Sequence, residues 1–290
     1  QISVNLQRKG NGYAIVARGS AFDVRGLIAE FKSRGGADNE DGADLSVDAK
    51  IDKLIGFDQT TLSNAVISVR AGGGTVQKVS LDGDFPGGPV TMRYADDGSS
   101  ADLDLESADA GNLIGFIDLY RRMSGGRLTL TGQRSGVFDV TNFAIVGEPS
   151  MQKLVSATSG TGAETTRTGL DPDNVPFGRM RLEYTKRGPK IVIEDAVLRG
   201  ASVGATLDGT LDLAKQRVSL AGTYLPAYAF NNLFGRVPLL GIALGGGSKG
   251  GLFGVTFKID GPIGSPNLTV NPLSLITPGI FRKIFEFPVN

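Results

Sequence analysis

A chain of 290 residues with 30 lysines and arginines against 30 aspartates and glutamates has no net charge, so as a whole it attracts neither nucleic acid nor an anionic membrane surface. It contains no cysteine and no histidine, which removes disulfides, the commonest metal ligands, the thiol nucleophile and the one side chain that titrates near neutrality unaided. Most catalytic templates are thereby excluded, and the expectation is a protein without enzymatic activity, cofactor, metal or nucleic-acid partner. No run reaches the ~20 apolar residues of a membrane-spanning helix. Because Gln1 already opens on a strand-like pattern, the chain reads as a fragment or processed product whose membrane anchor would lie upstream.

The 42 glycines are scattered singly between short apolar runs, as in many short strands joined by tight turns. Two short sequences recur in the first half. Asp23 to Ile28 and Asp109 to Ile114 share a D-x-x-x-L-I pattern, and Leu54-Ile55-Gly56-Phe57 returns as Leu113-Ile114-Gly115-Phe116. Period-two alternation is explicit in Ala101 to Glu106, where Leu103 and Leu105 point one way and three carboxylates the other. The spacing then predicts a helix near 108–123, capped by Asp109 and stopped by Gly125-Gly126.

Alternation resumes at Leu128/Leu130, and Ser150 to Ala157 can form two helical turns with Met151, Leu154 and Val155 on one side. The polar, small-residue stretch 159–174 reads as a flexible loop that could interrupt the sheet. Beyond it come the strand patterns Leu182/Tyr184, Leu211/Leu213 and Val218/Leu220, and a short apolar helix bracketed by Pro226 and Pro238. Val255/Phe257/Ile259 gives a further strand. Spacings of about ten residues between strands suggest an antiparallel meander. At the end, Thr277 and Pro278 start an amphipathic helix whose apolar face is Ile280, Phe281, Ile284, Phe285 and Phe287, suited to closing a core or touching a membrane.

The motifs that would carry chemistry have simpler readings. Gly245 to Gly250 satisfies G-x-G-x-x-G, but a strand follows it where a dinucleotide site needs a helix. Asp171-Pro172-Asp173-Asn174 lacks the glycine and glutamate of a calcium loop and reads as a turn. Asp102/Asp104 and Glu194/Asp195 read as a solvated sheet face, and Lys186, Arg187 and Lys190 as a basic hairpin tip around Gly188-Pro189. Alternation by itself fits an open groove or a closed β-sandwich, since both need one dry face.

The blocks Gly222 to Pro226, Asn232 to Gly241, Gly250 to Phe257, Gly261 to Pro266, Val270 to Ser274 and Pro278 to Lys283 resemble, in order and spacing, the C-terminal region of AsmA-like proteins, nearest the YhdP type. The resemblance is specific across roughly 180–290; Phe138 to Phe143 and the Asp109 segment fit more loosely, and residues 1–100 only in style. It implies a Gram-negative envelope protein, periplasmic in bulk, with its parent anchored in the inner membrane. It further implies a gutter-shaped β-sheet whose apolar concave face carries phospholipid between membranes, and no catalytic residues.

The resulting expectation is a mainly β protein: an elongated antiparallel sheet curved into an open groove, with a few short helices including the C-terminal one. Residues 1–158 would be a groove segment, 159–174 a loop and 175–290 the AsmA-like region. Leu103, Leu105, Leu128, Leu130, Leu182, Tyr184, Leu211, Leu213, Val255, Phe257 and Ile259 are the expected floor, with phospholipids, bacterial membranes and other envelope proteins as partners. The rival expectation, drawn from TamB-like relatives of that family, is a helper of outer-membrane protein assembly or secretion that works by strand addition.

Overall fold

The computed structural model describes residues 2–34, 42–159, 171–201, 203–226, 255–264 and 266–271. Strands β1 (Ile2–Lys9), β2 (Gly12–Gly19) and β3 (Phe22–Asp23) lead into helix α1 (Arg25–Arg34), followed by β4 (Leu45–Ile55), β5 (Thr61–Gly72), β6 (Thr75–Phe85), β7 (Gly88–Asp96) and β8 (Ala101–Ser107). Helix α2 (Ala110–Phe116), β9 (Met123–Thr131), β10 (Ser135–Val146) and α3 (Pro149–Ser159) come next. The remaining described elements are β11 (Asn174–Arg187), β12 (Lys190–Arg199), β13 (Val203–Asp212), β14 (Arg217–Pro226), β15 (Val255–Pro262) and β16 (Asn267–Asn271).

All sixteen strands form one sheet, in chain order from β1 to β16 with β3 beside β4. Neighbours are antiparallel except β2 and β3 against β4, which are parallel as a strand–helix–strand crossover through α1 requires. β1 and β16 do not pair with each other, so the sheet is open and not a barrel. Among the described residues there is no second sheet, which removes the sandwich alternative. β10 pairs directly with β11, so the sheet runs unbroken past 159–174; residues 160–170 lie outside the described residues. α3 connects β10 to β11 yet packs against β14, β15 and β16, which requires the sheet to curl around it.

In three of the long strands the parity that faces inward changes at an Asx residue. The inward set passes from Leu62 to Ala65 and Ile67 in β5, from Val140 to Phe143 and Ile145 in β10, and from Ile193 to Ala196 and Leu198 in β12. At each change an Asx residue takes the left-handed conformation: Asn64 (φ 54°), Asn142 (φ 55°) and Asp195 (φ 53°). Asn and Asp adopt this region at less cost than other residues with a Cβ, so an apolar-polar-Asx-apolar tetrad turns the strand over. Asn142→Gly should leave stability unchanged or slightly raised, whereas Asn142→Ala should lower it by about 1 kcal/mol and Asn142→Val by about 2 kcal/mol in chemical denaturation.

The structure corrects two sequence expectations and leaves a third outside the described residues. α2 ends at Phe116 and does not reach 123. Asp118 takes a left-handed conformation (φ 52°) and donates its N–H to the Gly115 carbonyl at 2.9 Å, while Leu119 N–H bonds Ile114. The chain therefore turns before the apolar residues at 117–123 can extend the helix, and Gly125 and Gly126 belong to β9. Leu225 and Pro226 complete β14, and the helix expected between Pro226 and Pro238 lies outside the described residues. The Leu-Ile-Gly-Phe repeat is not a structural repeat, because one copy ends strand β4 and the other lies in α2. The two copies touch: Phe57 N–H donates to Phe116 carbonyl at 3.0 Å, and a Cβ on Gly56 would stand 2.2 Å from the Phe116 ring.

In the β7–β8 turn, the Asp97 carboxylate accepts bonds from the Ser99 hydroxyl (2.7 Å) and the Ser99 and Ser100 N–H groups (2.9 and 2.8 Å). These bonds, the Ser99 hydroxyl first, hold its pKa at about 2 against an ordinary 3.8. Because the folded value is the lower one, this contribution to stability is present above about pH 4 and disappears as pH falls through about 2. Carboxyl NMR titration should place the Asp97 midpoint near 2; a midpoint at the ordinary value would mean that the turn is not closed.

Candidate functional site

Opposed residues in a β-ladder point to the same face, so the registers trace single rows of side chains across the sheet. One row passes through ten strands: Val4 opposes Ala17, Ala17 opposes Ala49, and Ala49 opposes Ile67. It continues through Leu81, Met92 and Leu105 to Leu130, Phe138 and Leu182. Every member is apolar. At ~4.8 Å per strand the row is roughly 40 Å long, and it runs perpendicular to the strands.

Burial is graded along the strands. The neighbouring row on the helix side, Gly83, Val90, Ser107, Leu128 and Val140, is sealed. α2 lies against β9 with Leu113, Ile114 and Phe116 buried, and the Phe116 ring meets Phe85 edge-on at 5.6 Å. Met151 and Leu154 of α3 join the same core. One step out, the long row from Ala17 to Leu182 is partly exposed, as are Val69, Val79, Tyr94 and Leu103 one step further. At the β1 edge Val4 and Leu6 are each 61% exposed. The apolar face is thus a sealed strip under the helices beside a strip that the described residues leave partly open.

The expected floor residues that lie in the described strands fall on this face wherever their side chains are described. Leu103, Leu105, Leu130, Leu182 and Tyr184 lie in the partly open strip. Tyr184 opposes Ile193, and the register carries on through Gly209 and Leu220 to Ile259. Leu211 stands between Ile191 and Val218 on the same face. Leu213 lies just past the end of β13. Leu128 (1% exposed) and Phe257 (8%) are core, lying in the sealed strip and in the curl facing α3. Val255 is in β15, but its side chain lies outside the described residues, as do Val155 and the terminal Ile280, Phe281, Ile284, Phe285 and Phe287. Ile67, Leu81, Met92 and Phe138 belong to the row but were not among the expected residues; the same period-two signal marks them, in Leu81 beside Asp82 and Met92 beside Arg93.

The opposite face is polar and internally paired. Arg70 meets Asp48 at 3.0 Å, Arg93 meets Asp82 at 2.6 Å, Arg179 meets Asp139 at 2.7 Å and Arg217 meets Asp260 at 3.2 Å. The exposed pairs add little stability each; Asp139 is buried, and Val197, Thr206 and Thr223 of its row are buried with it, so this face too is covered in part. Asp102 and Asp104 are exposed there, as a solvated face requires. Asp171 closes an ordinary turn by accepting the Asp173 N–H at 2.9 Å. Among the described residues no cluster of carboxylates could hold a metal, and Gly245 to Gly250 lie outside them. On the apolar face, burial raises the pKa of the Tyr184 phenol, whose hydroxyl donates to the Gly132 carbonyl.

No family model, curated protein or solved structure matches the chain.

Proposed function

We propose that the chain is a segment of a bridge-like lipid carrier of the bacterial envelope, moving phospholipid between the inner and outer membranes along the apolar face of its sheet. The reading is supported above all by the row from Val4 to Leu182, which stays apolar and partly exposed across ten strands. The work is partition, with no bond made or broken. Each methylene removed from water contributes about 0.8 kcal/mol, and sliding exchanges one set of apolar contacts for an equivalent one. Headgroups would stay at the open, wet rim, and the protein would work in the periplasm, with its parent held in the inner membrane.

Native mass spectrometry of gently purified protein should reveal co-purifying phospholipid released on unfolding. A lipid-free protein that also fails to take up fluorescent phospholipid would refute the proposal.

One observation favours the rival reading, a helper of outer-membrane protein assembly. Among the described residues β1 is an edge of eight residues without proline or bulge, with Val4 and Leu6 of its apolar side exposed. Such an edge can template a client strand. The two readings separate by crosslinking from Asn5: capture of unfolded outer-membrane strands supports the helper, and capture of lipid from Leu105 supports the carrier.

A further inference from the structure

Each of the four arginines named on the polar face meets a carboxylate, but at one end of the apolar face two cationic residues are joined backbone to backbone. Lys186 follows Leu182 and Tyr184 on that face and opposes Ile191 of β12. Across the other ladder, Gly136 opposes Tyr184 and Ser135 opposes Thr185; Arg134, in the bend just before β10, takes the next position, where its carbonyl accepts the Lys186 N–H at 2.6 Å. Both residues are exposed, and neither makes an ion pair among the described residues. Arg187 and Lys190 of the same hairpin tip oppose each other on the other face. From β9 to β14 the strands place no aspartate or glutamate on the apolar face. Like charges directly opposed in an antiparallel pair destabilise it, and a bridging anion reverses the sign. Inward from the pair the floor is Tyr184, then Phe138 beside Leu182, then Val140 beside Met180. An anionic group held here therefore has apolar surface directly behind it.

We propose that Arg134 and Lys186 clamp the phosphate of a glycerophospholipid at the rim, with its acyl chains running inward over Tyr184, Phe138 and Leu182. The inference rests on the lipid-carrier reading and adds a recognition element to it, since a charge-assisted clamp discriminates phosphate-bearing lipids from neutral ones.

The test measures monomeric dioctanoyl-phosphatidylglycerol and dioctanoylglycerol binding to the full chain and to Arg134→Glu, below the micellar concentration. The wild type should bind the phosphatidylglycerol roughly 10-fold more tightly. Arg134→Glu should abolish that preference, leave dioctanoylglycerol binding unchanged, and raise thermal stability because Lys186 gains an opposite charge. Equal wild-type binding of the two lipids overturns the clamp while leaving the carrier reading intact, whereas binding of neither overturns both. Tight binding of inorganic phosphate with no gain from the acyl chains contradicts the lipid assignment. Loss of affinity for phosphatidylglycerol vesicles with monomer binding untouched would make the pair a membrane-docking site, and would equally overturn the proposal.

Discussion

Replacing Asp109 by alanine is expected to lower the unfolding free energy by about 3 kcal/mol, among the larger effects of a single polar substitution in this chain. The residue is buried, and three bonds converge on its carboxylate: the Asn112 N–H at 3.1 Å caps α2, the Asn112 side-chain amide approaches to 2.6 Å, and the Gly87 N–H arrives at 2.9 Å from the β6–β7 turn. Its own N–H bonds the Ser107 hydroxyl, which in turn donates to the Asp109 carbonyl. Alanine would leave two backbone donors and an amide without partners, and α2 would lose the tie that seats Leu113, Ile114 and Phe116 on the sheet. Asp109→Asn should cost less, about 1–2 kcal/mol, because one oxygen still accepts while an amide donor faces the remaining donors. Urea denaturation of the three proteins measures both effects. An alanine variant as stable as wild type would mean that α2 is not held from this point.

Placing a charge on the partly open strip should have the opposite character, a large functional loss at small structural cost. Leu105→Glu and Leu130→Glu put a carboxylate in the middle of the long row, opposite each other's wild-type leucine. Both side chains keep some access to water, so the predicted loss of stability is about 1–2 kcal/mol, less than for a sealed position such as Leu128. An acyl chain crossing that point must pass a solvated charge, and phospholipid uptake should fall by roughly tenfold or more. Ser80→Glu is the matched control: it lies on the polar face opposite Arg93 and should leave both stability and uptake unchanged.

The strands were legible because alternation is a local property. Leu103/Leu105, Leu128/Leu130 and Leu182/Tyr184 each reveal their own face, and the registers show that all of them share it. What alternation could not reveal was the relation between strands. A sandwich and an open curled sheet need the same dry face, and only pairing in chain order through sixteen strands separates them. The sealed and open strips were also invisible, since whether Leu128 is core and Leu130 partly open depends on where α2 lies. The helix over 108–123 was misjudged because apolar spacing continues past Phe116, whereas Asp118 has already turned the chain.

The strand inversions left a weak signal that went unread. Leu62-Ser63-Asn64-Ala65, Val140-Thr141-Asn142-Phe143 and Ile193-Glu194-Asp195-Ala196 each break period two by one residue, at an Asx that tolerates a left-handed backbone. Helix α1 was foreshadowed only by its resemblance to the segment after Asp109. Asp23 bonds the Arg25 N–H at 3.1 Å and pairs with the Arg25 guanidinium, and its carboxyl is held at about 2. The cation pair at Arg134 and Lys186 could not be read from sequence at all, because 52 positions separate two residues that only the β10–β11 register brings together.

The central claim is that the row from Val4 to Leu182 faces lipid. Its most direct test is a photo-crosslinking side chain placed singly at Leu105, Leu130 and Leu182 in cells making the protein, followed by mass spectrometry of the adducts. The account predicts phospholipid adducts at all three positions and none at Ser80 on the polar face. Adducts confined to protein at Leu105, Leu130 and Leu182 would show that the dry face is covered by polypeptide, and would contradict it.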